Sequence, residues 1–406
     1  MDCNEVKSKW KSYMNGECRE KDEKEIEEHL QGCSQCELLL NQDIEKQEEN
    51  HLHVGDRLND QERLLDDIPI KKQKKWLRKA KWKNRLMNAL TIFMLFIGVS
   101  IISGILTAFF FGFGTDEGRG EKAIQVIRTA TQMTMPNVYL AGGGMNTNFY
   151  YTMDIDFQIQ KQLGREHKSI GQLHGKMFFN LLNVNREWTD GQYDVKLYFM
   201  HPQFVENQPE TEQTFYQETL QDTWNTLDLL PKGTVSELAI TFDQLYDIDD
   251  VYALLHDYDL DIVWYAIDTG TEGKGDTYHS PYLSANSDIW GFHEHAIFDF
   301  SRDGGSIRIR GDGHKRAEAF KTGLQFLAEN KKLVERYIWY FNNETSIEDR
   351  YNYVEENGVK TYGVVVTGPT KELLTLQENN SIIFATLGEV DFWNWYDRPA
   401  GGTIYN

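Results

Sequence analysis

Three cysteines and one histidine near the N-terminus have the types and the spacing of a metal site. His29, Cys33 and Cys36 form the pattern H-x3-C-x2-C, and Cys3 lies 26 residues before His29. Zn²⁺ in a closed structural site takes about four nitrogen or sulfur ligands in a tetrahedron. On a helix, His29 and Cys33 would lie one turn apart on the same face, and the step to Cys36 fits a helix end at Gly32. The four residues therefore predict a structural zinc site, with Cys3 supplied by an earlier helix.

The sequence around this site supports a structural rather than a catalytic metal. Residues 1–70 read as short helices with few apolar residues, and small domains with thin cores often need a metal. A catalytic zinc would keep a position open for water, and four protein ligands leave none. The apolar residues near Trp10, Tyr13, Leu58 and Leu65 either form the core or face a partner, since an amphipathic helix can serve both uses.

The full pattern C-x25-H-x3-C-x2-C resembles the zinc-binding anti-sigma domain of bacterial membrane-bound anti-sigma factors. Proteins of that family hold an extracytoplasmic-function (ECF) sigma factor inactive at the membrane. The order of zinc module, one membrane span and long outer domain is similar to the two-part "sigma factor regulator" family. The resemblance implies an ECF sigma factor as partner. It also implies that oxidation of ligand thiols can expel the metal, but we interpret the remaining cysteine, Cys18, as a free reduced thiol.

One stretch is long and apolar enough to cross a membrane. No charged residue occurs from Leu86 to Thr115, and about 20 apolar helical residues cross the hydrocarbon of a bilayer. A buried core helix is the alternative, but such helices seldom run this long without a charge. Nine basic residues and no acidic residue occur between Lys71 and Arg85. By the positive-inside rule, residues 1–85 face the cytoplasm and residues 115–406 face outward.

The distribution of charge and cysteine excludes some classes of protein. The formal net charge is −21, which argues against nucleic acid as a direct partner because phosphate contacts need lysine and arginine surfaces. All four cysteines fall in the first 36 residues, so the larger part of the chain has no disulfide framework. This pattern fits reduced cysteines in the cytoplasm and a cysteine-free outer domain.

The chain beyond the span predicts a mixed α+β domain, because strand-like alternation and helical periodicity both occur there. A stalk and a short helix come first, at 114–137. The predicted strands are 150–159, 193–200, 236–242, 260–267, 361–366 and 382–387, with a hairpin of 290–300 and 306–310. The predicted helices are 249–256, 315–340 and 370–377. The glycines at 142–144 are interpreted as a flexible turn.

Two further groups of residues could do chemistry in the outer part. His293 and His295 would lie on one face of a strand and could bind a metal, but no third ligand is evident. A surface or hydrogen-bonded histidine is the more common case. The carboxylates between Asp247 and Asp261 lack the glycine and closing glutamate of a calcium loop, so we interpret them as a solvated acidic face. We find no motif for a catalytic nucleophile or a phosphate-binding loop.

These observations and the resemblance predict a fold, a domain order and a function. The domains are a small all-α zinc-stapled domain at 1–70, a basic linker at 71–85, a transmembrane helix at 86–113 and an α+β extracytoplasmic sensor domain at 114–406. The protein is predicted to sequester an ECF sigma factor at the membrane, to block its binding to RNA polymerase and to release it on an envelope signal, without catalysis. The alternatives are a membrane-tethered outer enzyme and a binding protein whose zinc module serves only assembly.

Overall fold

The computed structural model of the chain forms two compact units, Met1–Ile92 and Phe93–Asn406. The structure describes residues 1–15, 18–39, 41–42, 70–112, 118–194, 196–206, 210–273, 283, 289–294, 313–338 and 346–396. Some sequence predictions lie outside these residues: the apolar positions Leu58 and Leu65, His295, and the hairpin turn near Gly304.

The first unit starts with two short helices around a very small core. The helices are α1, Cys3–Asn15, and α2, Glu20–Gly32, and helical backbone resumes at 34–39. Among the described residues of this unit, the fully buried side chains of the core cluster are Val6, Ile26 and Cys36. Lys9 and Asp22 join α1 to α2 by an ion pair of 2.5 Å at the rim of this core. The regular elements among the described residues of this unit are all helices, as the sequence predicts.

A single long helix carries the apolar stretch. Helix α3, Ile70–Gly112, is 43 residues long. Within it, Leu77–Gly112 has a mean hydropathy of 2.5 in its most apolar window, and none of that window is buried. By length and composition it can cross a membrane. The basic residues predicted as a linker belong to the same continuous helix.

The second unit begins with helix α4, Arg119–Thr134, and a four-stranded antiparallel sheet. The strands, in sheet order, are β1, Val138–Thr147; β2, Thr152–Leu163; β3, Glu166–Phe178; and β4, Leu181–Trp188. Strand β2 alternates as its period of two requires, and its inward side chains share one core cluster with Ile124 and Ile127 of α4. The predicted glycine turn is wrong: residues 142–144 lie inside β1 at a bulge. Gly143 has φ +73°, and a Cβ there would lie 1.8 Å from the Asp156 carbonyl oxygen.

The second sheet of this unit has five strands among the described residues, in the order β7-β6-β8-β5-β9. Its strands are β5, Thr234–Tyr246; β6, Asp261–Ile267; β7, Gly291–His293; β8, Thr361–Pro369; and β9, Ile382–Phe392. The helices in this part are α5, Pro202–Glu206; α6, Glu210–Leu229; α7, Ile248–Leu255; α8, Gly313–Glu329; α9, Lys331–Tyr337; α10, Ile347–Asn357; and α11, Thr370–Thr375. The predicted α+β class is therefore confirmed.

Two further predicted elements differ in the structure. The predicted strand at 193–200 is irregular, with one bridge between Phe199 and Leu283. The predicted helix at 315–340 is two helices, α8 and α9, interrupted at Asn330, whose side chain donates to the Phe326 carbonyl oxygen at 2.8 Å. An asparagine that bonds its own backbone competes with the helical hydrogen-bond pattern, which accounts for the break.

Candidate metal centre

Helix ends position the four predicted metal ligands. Cys3 is the first residue of α1, and the Asp2 carboxylate fixes that helix end by accepting the N–H groups of Asn4 and Glu5, each at 2.8 Å. His29 lies in the last turn of α2 and Cys33 directly follows that helix. The Cys33 N–H donates to the His29 carbonyl oxygen at 2.9 Å, which keeps the two residues one turn apart.

The distances among the four side chains fit a tetrahedral cation. The potential ligand atoms of Cys3, His29, Cys33 and Cys36 all lie within 4.8 Å of one another. The Cys3 Sγ atom is 3.4 Å from His29 Nε2 and 3.6 Å from Cys33 Sγ. A tetrahedral zinc with ordinary bond lengths separates sulfur from nitrogen by about 3.5 Å and sulfur from sulfur by about 3.8 Å. The donor set and its spacing therefore suit zinc with four protein ligands.

The thiols of this cluster differ in acidity. Backbone N–H groups of Cys36 and Gln35 point at the Cys33 sulfur and lower its pKa to about 6. Burial raises the pKa of Cys36 to about 11, and the neighbouring thiols of Cys3 and Cys33 act in the same direction. The Cys33 thiolate thus forms readily at neutral pH while ionisation of Cys36 is opposed, and a bound divalent cation would favour both thiolates.

The other candidate residues do not join a comparable cluster in the described part of the chain. Cys18 Sγ lies 3.9 Å from the Lys9 carbonyl oxygen, outside the four-residue group. His293 is the last residue of β7 and is buried, with its ring centroid 5.3 Å from that of Tyr139. The described residues contain one group of three or more potential metal ligands, and His293 is not in it.

Several carboxylates of the predicted acidic face have structural partners. Asp247 accepts from Lys360 Nζ at 2.8 Å with both oxygens. Asp249 accepts the Gly313 N–H at the start of α8, at 2.9 Å. These contacts connect separate elements of the second unit, so Asp247 and Asp249 have a structural role there.

Three protein-family models match successive segments of the chain. A model described as "Putative zinc-finger" matches residues 3–36, beginning and ending at cysteines of the cluster. "Sigma factor regulator N-terminal" matches residues 74–168 and "Sigma factor regulator C-terminal" matches residues 227–389. The probable anti-sigma-M factor YhdL of Bacillus subtilis (strain 168) is 26% identical over 399 residues, which cover 96% of this chain and 99% of the relative. This chain belongs to the zinc-type membrane anti-sigma factors. No solved structure matches it.

This identity fixes several coarse properties of the anti-sigma factor. Zinc is its metal, as the zinc-finger match and the four-residue cluster both indicate. Among the described residues, α3 is the one helix long and apolar enough to cross a membrane, which agrees with the match to membrane anti-sigma factors. A sigma factor is the implied partner, and the family indicates regulation rather than catalysis.

The second unit of the anti-sigma factor also contains an ionic cluster that the sequence did not reveal. Lys161 Nζ lies 2.7 Å from a Glu237 oxygen and 3.1 Å from a Glu389 oxygen. Burial opposes the charge on Lys161, but the two carboxylates together raise its pKa. These residues line a cavity of about 230 Å³ beside Trp188. These three residues are far apart in the sequence and form no recognisable motif, and only the folded sheets bring them together.

Proposed function

We propose that this protein sequesters an ECF sigma factor at the membrane through its N-terminal region and blocks the binding of that sigma factor to RNA polymerase. The observation that carries the proposal is the zinc cluster. It stands within a zinc-finger match, at the N-terminus of a chain whose remaining matches are to sigma factor regulators. The similar B. subtilis protein is named for an anti-sigma activity. Occlusion by binding needs no bond chemistry.

The zinc ligands in this proposal are Cys3, His29, Cys33 and Cys36. Their metal holds α1, α2 and the following helical segment together and thereby forms the surface that the sigma factor contacts. The domain bounds are those of the sequence: a zinc domain at 1–70, a basic segment at 71–85, a span at 86–113 and an outer domain at 114–406. The outer domain receives an envelope signal that releases the sigma factor.

Apolar side chains at the surface of the first unit support a protein contact. Trp10 and Tyr13 are half-buried, with ring centroids 6.0 Å apart. Leu38, two residues after the last cysteine of the cluster, is 59% exposed. Aromatic and aliphatic anchors of this kind dominate the energy of protein interfaces. We therefore assign the sigma-factor contact to a surface near Trp10 and Tyr13, with Leu38 as a further candidate anchor.

The orientation follows from the basic flank of the span. Nine positive charges before Leu86 favour a cytoplasmic N-terminus, where a sigma factor is accessible. Protease added to intact protoplasts should remove the chain beyond residue 115 and leave residues 1–85 intact. Protection of the outer unit, with loss of the zinc unit, would reverse the orientation.

The function is tested in the host organism. Deleting the gene should raise transcription of one ECF regulon, and expressing residues 1–85 alone should restore its silencing. The matched variant Cys33→Ser, which removes one proposed ligand, should fail to restore it, whereas Cys18→Ser should succeed. If every ECF regulon is unchanged after deletion, the proposal is wrong.

A further inference from the structure

Two hairpins of the first sheet end in exposed aromatic and aliphatic tips. The turn between β1 and β2 carries Phe149 and Tyr150, which are 52% and 44% exposed. The turn between β3 and β4 carries Phe178, Phe179 and Leu181, which are 48%, 40% and 56% exposed. Scattered exposed apolar side chains are ordinary, but a contiguous group marks a contact surface. We refer to these five residues as the aromatic tips.

The two hairpin turns form one body with the C-terminal end of helix α3. The Phe179 N–H donates to the Tyr151 carbonyl oxygen at 3.0 Å, and the rings of these residues stack with centroids 4.6 Å apart. Phe110 of α3 contacts both rings edge-on, at 5.4 Å from Tyr151 and 5.7 Å from Phe179. The tips therefore have a fixed position relative to the membrane helix.

Hydroxyl groups of the helix bind the free backbone donors of the first turn. Within the hairpin the Thr152 N–H bonds the Phe149 carbonyl oxygen, which leaves the two central N–H groups without a partner in the turn. The Tyr150 N–H donates to Ser103 Oγ at 2.7 Å, and the Tyr151 N–H donates to Thr107 Oγ1 at 2.9 Å. In hydrocarbon, backbone groups cannot bond water and must be satisfied by the protein. The two hydroxyl groups thus give the turn the hydrogen-bond partners that its backbone needs within the hydrocarbon region.

The backbone of this turn is unusual for its residues. Tyr150 and Tyr151 both have φ +57°, in the left-handed region that a tight hairpin turn of this type requires. Asparagine and glycine adopt this conformation at little cost, whereas bulky side chains do so rarely. Strained residues of this kind are held where they serve a function. Two tyrosines at a site that favours Asn-Gly indicate that the aromatic rings themselves are needed.

The length of the apolar stretch sets the depth of the tips. The uncharged run begins at Leu86, and about 20 helical residues cross the hydrocarbon core, so the helix reaches the far interface near Ile105. The hairpin contacts extend from Ser100, whose Oγ lies 2.7 Å from the Tyr150 hydroxyl, to Phe110. They therefore lie at the boundary between hydrocarbon and headgroups, where tyrosine and other amphipathic rings concentrate.

We propose that the aromatic tips insert into the lipid interface of the leaflet nearer to the C-terminal end of α3, so that the helix and two hairpins form a three-part membrane anchor. The occupant of this surface is phospholipid. Its continuity with the exposed apolar face of α3, which includes Ile102, Ile105 and Phe109, favours lipid over a soluble partner. The anchor holds the first sheet at the membrane surface, and it is independent of the sigma-factor activity.

Photo-crosslinking in phospholipid vesicles tests the insertion directly. The full-length protein would carry benzoylphenylalanine at position 149 or 181, in vesicles of phosphatidylcholine and phosphatidylglycerol. Phe392 is the matched control because it is an exposed aromatic residue, 85% accessible, far from the tips. It pairs with Thr234, and the neighbouring Val235 packs in one cluster with Leu163. Leu163 is at the opposite end of β2 from Thr152, about 36 Å away.

Mass spectrometry should find adducts on acyl chains from positions 149 and 181 at tenfold or higher yield than from position 392. Equal yields at the three positions, or adducts on headgroups alone, would overturn the proposal. Crosslinks from position 149 to a second copy of the protein in place of lipid would assign the tips to self-association and would also overturn it.

A second comparison tests the role of the hydroxyl acceptors. In protein that carries Ser103→Ala and Thr107→Val, the acyl adduct from position 149 should fall at least threefold, because two backbone N–H groups lose their partners. The single variant Thr107→Ser, with Ser103 unchanged, keeps both hydroxyl acceptors and should retain the yield of the acyl adduct. An unchanged yield in the double variant would show that the hydroxyl groups do not hold the turn at this depth.

Discussion

The two units of this anti-sigma factor reach a stable fold by different means. Among the described residues, the first unit buries Val6, Ile26 and Cys36 in its core cluster, whereas the second unit joins two sheets and several helices through one large apolar cluster. A buried large apolar side chain contributes roughly 2 kcal/mol, and ordering each residue costs about 1 kcal/mol or more. Two large apolar side chains and one cysteine are small against that cost over two helices, so we expect the first unit to depend on its metal and the second unit to fold without one.

This difference separates the roles of the units. A domain whose binding energy for zinc is also its folding energy exists in two states, folded with metal and unfolded without it. A domain with an extended core keeps its shape on its own. We therefore propose that the metal-dependent first unit carries the partner-binding surface and that the second unit is a scaffold.

Removing the metal should have the largest effect. Chelation, His29→Ala or Cys33→Ser should abolish zinc binding and unfold α1 and α2, because the remaining core is too small to hold them. Zinc content by elemental analysis and hydrogen exchange of residues 3–36 measure this. The control variant Cys18→Ser should keep one zinc per chain. A first unit that stays folded without zinc would show that it does not depend on its metal.

Truncating a side chain in the core of the second unit should have an intermediate effect and leave the metal bound. Leu324 of α8 is fully buried in the large cluster, and Leu324→Ala should destabilise the second unit by about 3 kcal/mol because it leaves a cavity. Urea unfolding of the detergent-solubilised protein measures the change. The zinc content should stay at one per chain. Loss of zinc in this variant would show that the two units do not fold independently.

Truncating a partner contact should have the smallest of the three effects. Trp10→Ala should weaken sigma-factor binding by roughly 2 kcal/mol, about thirtyfold. The exposed Lys7 on the same helix gives a matched control, and Lys7→Ala should leave the affinity within about twofold. Calorimetry on zinc-loaded protein measures both values. If the Trp10→Ala protein retains zinc and binds with unchanged affinity, Trp10 is not part of the sigma-factor interface.

The metal cluster could be predicted because its ligands follow local rules. His29 and Cys33 are four residues apart, and the structure ends α2 at Gly32, between them, as the sequence indicates. The hairpin tips could not be predicted in this way. Their contact with α3 joins residues 44 and 47 positions apart, through hydroxyl groups and backbone that carry no sequence motif.

Strands were missed where glycine or irregular backbone hid the apolar pattern. Strand β3 faces inward at Gly171, Leu173, Gly175 and Met177, so two of its four buried positions have no side chain to signal them. The opposite error occurred at 193–200, where apolar residues alternate but no ladder forms. There the backbone N–H groups of Tyr198 and Met200 bond threonine side chains of β9 and β5 in place of a neighbouring strand.

We expect the zinc-loaded N-terminal region to inhibit its sigma factor by occlusion. The most direct measurement is transcription in vitro with the cognate ECF sigma factor, core RNA polymerase and residues 1–85. Zinc-loaded protein should abolish the transcript when added before the core polymerase, and the Cys33→Ser protein should leave it unchanged. Full transcription in the presence of excess zinc-loaded, folded protein would contradict inhibition by occlusion.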